Sequence, residues 1–262
     1  MDIKNPINLI DSHCHLDDDR YDANRANIIK QARQQGISQI ILPATTANRW
    51  HKVKQVATTY PGVFAAYGLH PMFMSQHRRQ HIDWLDEWID REKPIAVGEC
   101  GLDFFQSQQD EPEQVELFRA QLQLANNHGL PVIVHARKAM DAVISLLRKI
   151  RVAAGGVIHS FAGSLQQAQQ LSDIGFKLGI AATVSFNRAQ KLRTVVAEIN
   201  ESTLLIESDA PDQSGIHHRG ELNQPAFIVE HCQTMAKLRV ISDNQMCEIL
   251  NRNTRDLFKL KS

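Results

Sequence analysis

The chain has 262 residues, 43% hydrophobic and 22% charged, and its 29 basic side chains match 29 acidic ones. That balance excludes a strongly basic protein that coats nucleic acid, though not a local basic patch. No apolar run reaches the roughly 20 residues of a membrane-spanning helix.

The opening segment Met1–Asn8 is polar and lacks the apolar core of a signal peptide. Short β-branched runs then alternate with longer amphipathic stretches. Asn8–Asp11 predicts a first strand, and Ala23–Gln35 a helix stopped by Gly36. Gln39–Pro43 is the second strand, followed by a helix near Arg49–Thr59. The turn Pro61-Gly62 leads into a third strand, Val63–Tyr67. The helix after it carries Trp84, Leu85, Trp88 and Ile89 at helical spacing, which reads as core packing. Pro94 opens a fourth strand, Ile95–Gly98, and a long helix runs from Glu111 to His128 with Gly129 as its stop. Val132–Val134, Gly156–Ile158, Phe176–Ile180 and Leu204–Ile206 are strands five to eight. Helices follow the first three of these over Ala139–Ile150, Leu165–Ile174 and Ala189–Ile199. The C-terminal part reads as helix in three pieces, Ile228–Leu238, Asp243–Leu250 and a last one to Leu260.

This order predicts an α/β fold, a single TIM-type (β/α)8 barrel over residues 1–262, regular or distorted. A doubly wound open sheet is the structural alternative, but no Gly-x-Gly-x-x-Gly loop follows the first strand. No internal repeat or linker divides the chain. Cys14, Cys100, Cys232 and Cys247 show no Cys-x-x-Cys spacing and are expected to be reduced thiols of a cytoplasmic protein.

Metal-capable side chains gather at the predicted strand ends. His13 and His15 alternate along an extended chain, so they share a face while Cys14 points away. Glu99 follows strand four, His135 strand five, His159 strand six and Asp209 strand eight. A lone histidine at such a place is more often a core or capping residue. Six groups from five strands at the C-terminal mouth of a barrel point to a metal site. Four histidines and two carboxylates exceed the three ligands of one catalytic ion, and suit two divalent ions sharing a carboxylate about 3.5–4 Å apart. Nitrogen and oxygen donors without thiolate fit Zn, Mn, Mg or similar ions. Asp11 is expected to hold an imidazole by its other nitrogen.

The segments Asp11-Ser12-His13-Cys14-His15-Leu16, Gly68-Leu69-His70-Pro71, Gly98-Glu99-Cys100-Gly101-Leu102-Asp103 and His135-Ala136-Arg137 carry a resemblance. So do His159-Ser160-Phe161-Ala162-Gly163-Ser164, Glu207-Ser208-Asp209-Ala210-Pro211, Arg219–Pro225 and Asn253-Thr254. In these, spread in order over nearly the whole chain, it resembles the TatD family of metal-dependent deoxyribonucleases, in particular its YjjV-like branch, within the amidohydrolase-like barrel superfamily. Ser208 stands where that family usually has Thr, and the segment before Arg219 is His-rich rather than proline-rich. The resemblance implies that His13, His15, Glu99 and Asp209 hold one ion and Glu99, His135 and His159 the other. Glu99 would be the bridge, and Asp209 would orient or deprotonate the attacking water. His70, Arg137 and Asn223 fall in family motifs as expected substrate-binding residues. Arg137 either grips a phosphate or is a surface residue at a helix start.

Charge points the same way. Two divalent ions exceed the charge of Glu99, Asp209 and one hydroxide, which favours an anionic reacting group. The reading is a phosphodiesterase or deoxyribonuclease acting on nucleic acid ends through a metal-activated water. Hydrolysis of a small ester, lactone or amide is the alternative. A non-enzymatic metal-stabilised protein fits poorly, because a structural site is closed by four ligands. With 6% aromatic residues, the chain suits gripping a short DNA terminus better than coating a long strand. The expected partner is DNA or another nucleic acid end, with no membrane and no obligate protein partner. The long segment from Asp209 to Pro225 is expected to wall the substrate mouth. In it Arg219 either meets a backbone phosphate or pairs with Glu221 or another neighbouring carboxylate and only fixes the loop, and His217 and His218 are expected to be solvated.

Overall fold

The structure is a computed structural model that describes residues 8–105 and 110–261; the polar opening, residues 1–7, lies outside it. Its strands are β1 (Leu9–Asp11), β2 (Ile37–Pro43), β3 (Val63–Ala66), β4 (Val97–Asp103), β5 (Val132–Arg137), β6 (Gly156–Ile158), β7 (Phe176–Ile180) and β8 (Leu204–Ile206). The helices are α1 (Arg25–Gln34), α2 (Trp50–Thr59), α3 (His81–Glu92), α4 (Glu111–His128), α5 (Met140–Lys149), α6 (Leu165–Ser172), α7 (Gln190–Glu198), α8 (Ile228–Arg239) and α9 (Asp243–Phe258).

All strand pairs are parallel, in two runs, β1-β2-β3 and β4 to β8. Sparse hydrogen bonds close them into a ring. At the β3–β4 seam the Gly98 N–H donates to the Tyr67 carbonyl at 2.8 Å. At the β8–β1 seam Ser12 N–H donates to Ile206 at 3.0 Å and Asp209 N–H to His13 at 2.9 Å. The fold is therefore the expected TIM-type barrel, loosened at two seams.

Strand alternation sets the vertical order inside the barrel. Ile41, Ala66, Ala96, Ile133, Val157 and Leu205 bury together, and Leu257 and Phe258 at the end of α9 pack against them. This apolar floor closes one end. Two residues further along the same faces come His135, His159 and Glu207, so polar groups stand directly above the floor. No described helix is long and apolar enough to cross a membrane.

Four expectations need correction. β4 runs to Asp103 and β5 to Arg137, so Glu99 and His135 lie within strands rather than after them. Polar residues there face a polar barrel mouth, where the usual link between polarity and loops fails. α9 is one helix, because Asn253 is buried and its amide donates to the carbonyls of Glu201 (2.7 Å) and Leu204 (2.8 Å) instead of breaking the chain. Trp88 packs in the core, whereas Trp84 is 47% exposed and lies against the His81 ring. His218 is not free in solvent: its ring stacks on Phe227 and its two nitrogens face Glu221 and Glu230, each at 3.1 Å.

Truncating the floor should cost what a large core cavity costs. Phe258→Ala is expected to lower the unfolding free energy by about 3–5 kcal/mol, read as a lower urea midpoint with an unchanged slope.

Candidate metal centre

The site is built from strand ends that alternation turns inward. His13 and His15 leave β1, Glu99 sits in β4, His135 in β5, His159 follows β6 and Asp209 follows β8. Their donor atoms form two sets. In the first, His13 Nε2 and His15 Nε2 are 3.2 Å apart, and lie 3.2 and 3.5 Å from Glu99 Oε2. Asp209 Oδ1 is 3.7 and 3.8 Å from the same two nitrogens. In the second, His135 Nδ1 and His159 Nε2 are 3.1 Å apart, and lie 3.2 and 2.8 Å from Glu99 Oε1. Ligands about 2.0–2.2 Å from a tetrahedral ion are separated by about 3.3–3.6 Å, so both sets have the spacing of donors around a cation. Glu99, 1% exposed, presents one oxygen to each set, and neither oxygen has a partner in hydrogen-bond geometry. The residues fit a pair of divalent ions.

His70 belongs to the site differently. Its Nε2 is 2.9 Å from Glu99 Oε1, but its Nδ1 accepts the Met72 backbone N–H at 3.0 Å. A neutral His70 therefore carries its proton on Nε2 and faces Glu99 with an N–H rather than a lone pair. His77 in turn bonds the His70 carbonyl through Nε2 at 2.8 Å.

Electrostatics follow from burial and the crowding of imidazoles around one carboxylate. Burial alone would raise Glu99, but His159, His70 and His13 outweigh it and hold the carboxyl well below its usual range. Burial would lower His159 and His135; Glu99, with Glu207 for the former and Asp103 for the latter, outweighs it and raises both. Burial and the neighbouring His159 push His13 well below its usual value, and burial takes His70 to about 4. Burial lifts Asp209 to about 6. Asp209 adopts a left-handed backbone, φ 52°, and its second oxygen accepts the Gln213 amide.

Asp11 does not hold an imidazole. Its Oδ1 accepts the backbone N–H groups of His13 (3.2 Å) and Ser208 (2.9 Å), clamping β1 to the loop after β8. Cys14 and Cys100 are buried and turned into the wall. Asp103, two alternations beyond Glu99 on the same face, is a residue that strand-end reasoning missed; its Oδ2 is 2.9 Å from His135 Nε2.

A cavity of about 1110 Å3 opens above the site, lined among others by His15, His70, Glu99, His135, His159 and Asp209. Arg137, Lys138 and Lys191 also line it and make no ion pair among the described residues; Phe73 and Phe104 supply apolar wall. The Arg137 guanidinium lies over the Phe105 ring at 3.7 Å. Asp17, Asp18 and Asp212 line it too, but are paired with Arg49 or Arg20. Arg219 is exposed and lies outside this lining, and Glu221 pairs with His218 instead of with it. Asn223 is fully buried, its amide donating to the carbonyls of Ser208 at 2.8 Å and Asp212 at 2.6 Å.

A TIM-type barrel with nitrogen and oxygen donors gathered at the C-terminal strand ends defines the class of barrel metallohydrolases. The match to known proteins is more specific. Residues 10–259 match the family model described as TatD related DNase. The chain is 34% identical over 254 residues to the uncharacterized metal-dependent hydrolase YjjV of Escherichia coli strain K12, covering 96% of this chain and 98% of that one. It is 30% identical to the uncharacterized metal-dependent hydrolase YabD of Bacillus subtilis strain 168, covering 96% and 99%. The crystal structure of Escherichia coli YjjV, a TatD homolog, superposes with a TM-score of 0.95 over 98% of this chain and 100% of its own. The chain belongs to the TatD family and is a metal-dependent hydrolase.

Because His135 and His159 are raised, an entering ion must displace protons from them near neutral pH, and affinity must fall as pH falls. Zinc titration of chelator-stripped protein in lightly buffered solution with an indicator dye should show proton release at neutral pH, declining at higher pH. Absence of release would contradict the protonation of this histidine pair.

Proposed function

We propose that the protein is a phosphodiesterase or deoxyribonuclease that trims nucleic acid ends, using two divalent ions bridged by Glu99. The observation that carries this reading is the division of Glu99 between two donor sets, beneath a cavity wall with the cations Arg137, Lys138 and Lys191, which make no ion pair among the described residues. His13, His15, Glu99 and Asp209 would hold one ion, and Glu99, His135 and His159 the other. When bound, such a pair supplies an activated water and stabilises the charge of an in-line displacement.

The protein's own groups do the rest. Asp209 accepts the proton of the attacking water through its carboxylate. Its Gln213 hydrogen bond fixes which oxygen faces His13 and His15. His70 Nε2, 2.9 Å from Glu99 Oε1, faces the bridging carboxylate.

The charge argument shifts once outer residues are counted. Asp103 and Glu207 stand behind His135 and His159, and as carboxylates they more than offset the single positive charge that the ions leave over Glu99, Asp209 and hydroxide. Attraction of a phosphate then falls to Arg137, Lys138 and Lys191, and Phe73 and Phe104 offer faces for a terminal base.

The test is a screen of metal-loaded protein on end-labelled oligonucleotides beside small ester, lactone and amide substrates. Turnover confined to the small substrates contradicts the nuclease reading. On an oligonucleotide, Asp209→Asn keeps an oxygen donor but cannot accept a proton, and should lose about 10²–10⁴-fold in rate with at least one ion retained. Arg137→Ala should reduce the slope of log affinity against log salt by about one unit. An unchanged slope removes Arg137 from phosphate contact.

A further inference from the structure

We propose that Glu207 is a positioning residue that supports one histidine from each metal site at once, and that Gly179 lacks a side chain to admit it. The proposal rests on the metal-pair reading above.

His13 and His159 both turn Nε2 toward Glu99. A neutral imidazole that gives its Nε2 lone pair to an ion carries its proton on Nδ1. Both Nδ1 atoms are fully buried and have no hydrogen-bond partner among the described residues. The two rings stack, with centroids 4.1 Å apart and planes at 15°. Glu207 is 0% exposed, and its Oε2 is likewise without a partner among the described residues. A nitrogen of His13, a nitrogen of His159 and an oxygen of Glu207 lie within 4.8 Å of one another, and His159 Nδ1 is 3.6 Å from Glu207 Oε1. The buried His159 Nδ1 and the Glu207 carboxylate thus face one another, with a His13 nitrogen within 4.8 Å of both, a grouping of buried polar atoms that are each costly if left alone.

The surroundings are shaped to hold the carboxylate there. Glu207 Oε1 accepts the Ser160 backbone N–H, and Ser160 adopts a left-handed conformation, φ 45°. A Cβ at Gly179 would stand 2.0 Å from Glu207 Oε2, while the backbone there is one that other residues adopt freely. The missing side chain is therefore what position 179 contributes. Glu207 differs from Asp103, which has one histidine, His135, of one site at 2.9 Å. Glu99 would join the two ions through their ligand shell, and Glu207 would join two of their histidines from below.

Outer carboxylates of this kind orient a ligand ring and raise its basicity, and their loss weakens metal binding by about 10–100-fold. Zinc affinity of the full chain is measured by competition with a chromophoric chelator, beside thermal unfolding of chelator-stripped protein. Glu207→Gln should weaken both ions, each by about 10–100-fold, while the stripped protein unfolds no lower than wild type. Gly179→Ala should reproduce that pattern with every carboxylate still present, and Asp103→Asn should weaken one ion only. Both affinities unchanged in Glu207→Gln, with or without a lower unfolding midpoint, overturns the proposal, as does weakening of a single ion. If wild type itself binds only one ion per chain, the metal-pair reading fails at that control, before any variant is compared.

Discussion

The burial of the Glu99 carboxylate is the constraint on which the rest of the site depends. A buried charge persists only where opposite charge or donors surround it. Four imidazoles from four parts of the chain, His13, His70, His135 and His159, converge within 3.2 Å of its two oxygens. The backbone is arranged around this residue as well. Its N–H donates to the Ala44 carbonyl at 3.0 Å, tying β4 to the end of β2. Gly68 passes so close that a Cβ there would meet the Glu99 carbonyl oxygen at 2.7 Å. The seam that leaves the barrel irregular between β3 and β4 is the place where this carboxylate enters.

Much of this was legible from alternation alone. Ile133 and His135, Val157 and His159, and Leu205, Glu207 and Asp209 share a face of their strands. An apolar residue in the floor therefore points to a polar one in the mouth. The same rule contains Asp103, two alternations beyond Glu99, and Glu207, one alternation before Asp209, each beside a more conspicuous ligand. The strands run further than their apolar pattern implies where Glu99, Asp103 and Arg137 give a strand the polarity of a loop. Helix α9 reads from the sequence as two pieces, the first ending at Leu250, whereas Asn253 sits inside one helix through hydrogen bonds to the end of β8 that exist only in three dimensions. Trp84 and His218 depart from their sequence patterns for the same reason, since helical spacing and loop polarity do not say which neighbour a ring will meet.

The segment after Asp209 is braced at its base. Asn223 sits at its base, bonded to Ser208 and Asp212, and the Tyr21 hydroxyl donates to the Asn223 carbonyl at 2.5 Å. This leaves Asp212 and Gln213 as the loop residues that reach the cavity, with Arg219 outside it. The loop's length thus goes into fixing Asp209 in its left-handed conformation, an energetically unfavourable geometry that a surrounding structure must hold in place. The cations that face the cavity come instead from the end of β5 and from α7.

The central claim is that one carboxylate joins two ions. Stripped protein reconstituted with Mn2+ is measured by metal analysis and by electron paramagnetic resonance at low temperature. Two ions per chain and the broadened signal of an exchange-coupled pair, both lost in Glu99→Ala, are the predicted result. A ceiling of one ion per chain with an isolated six-line spectrum, or a coupled pair that survives Glu99→Ala, would contradict it.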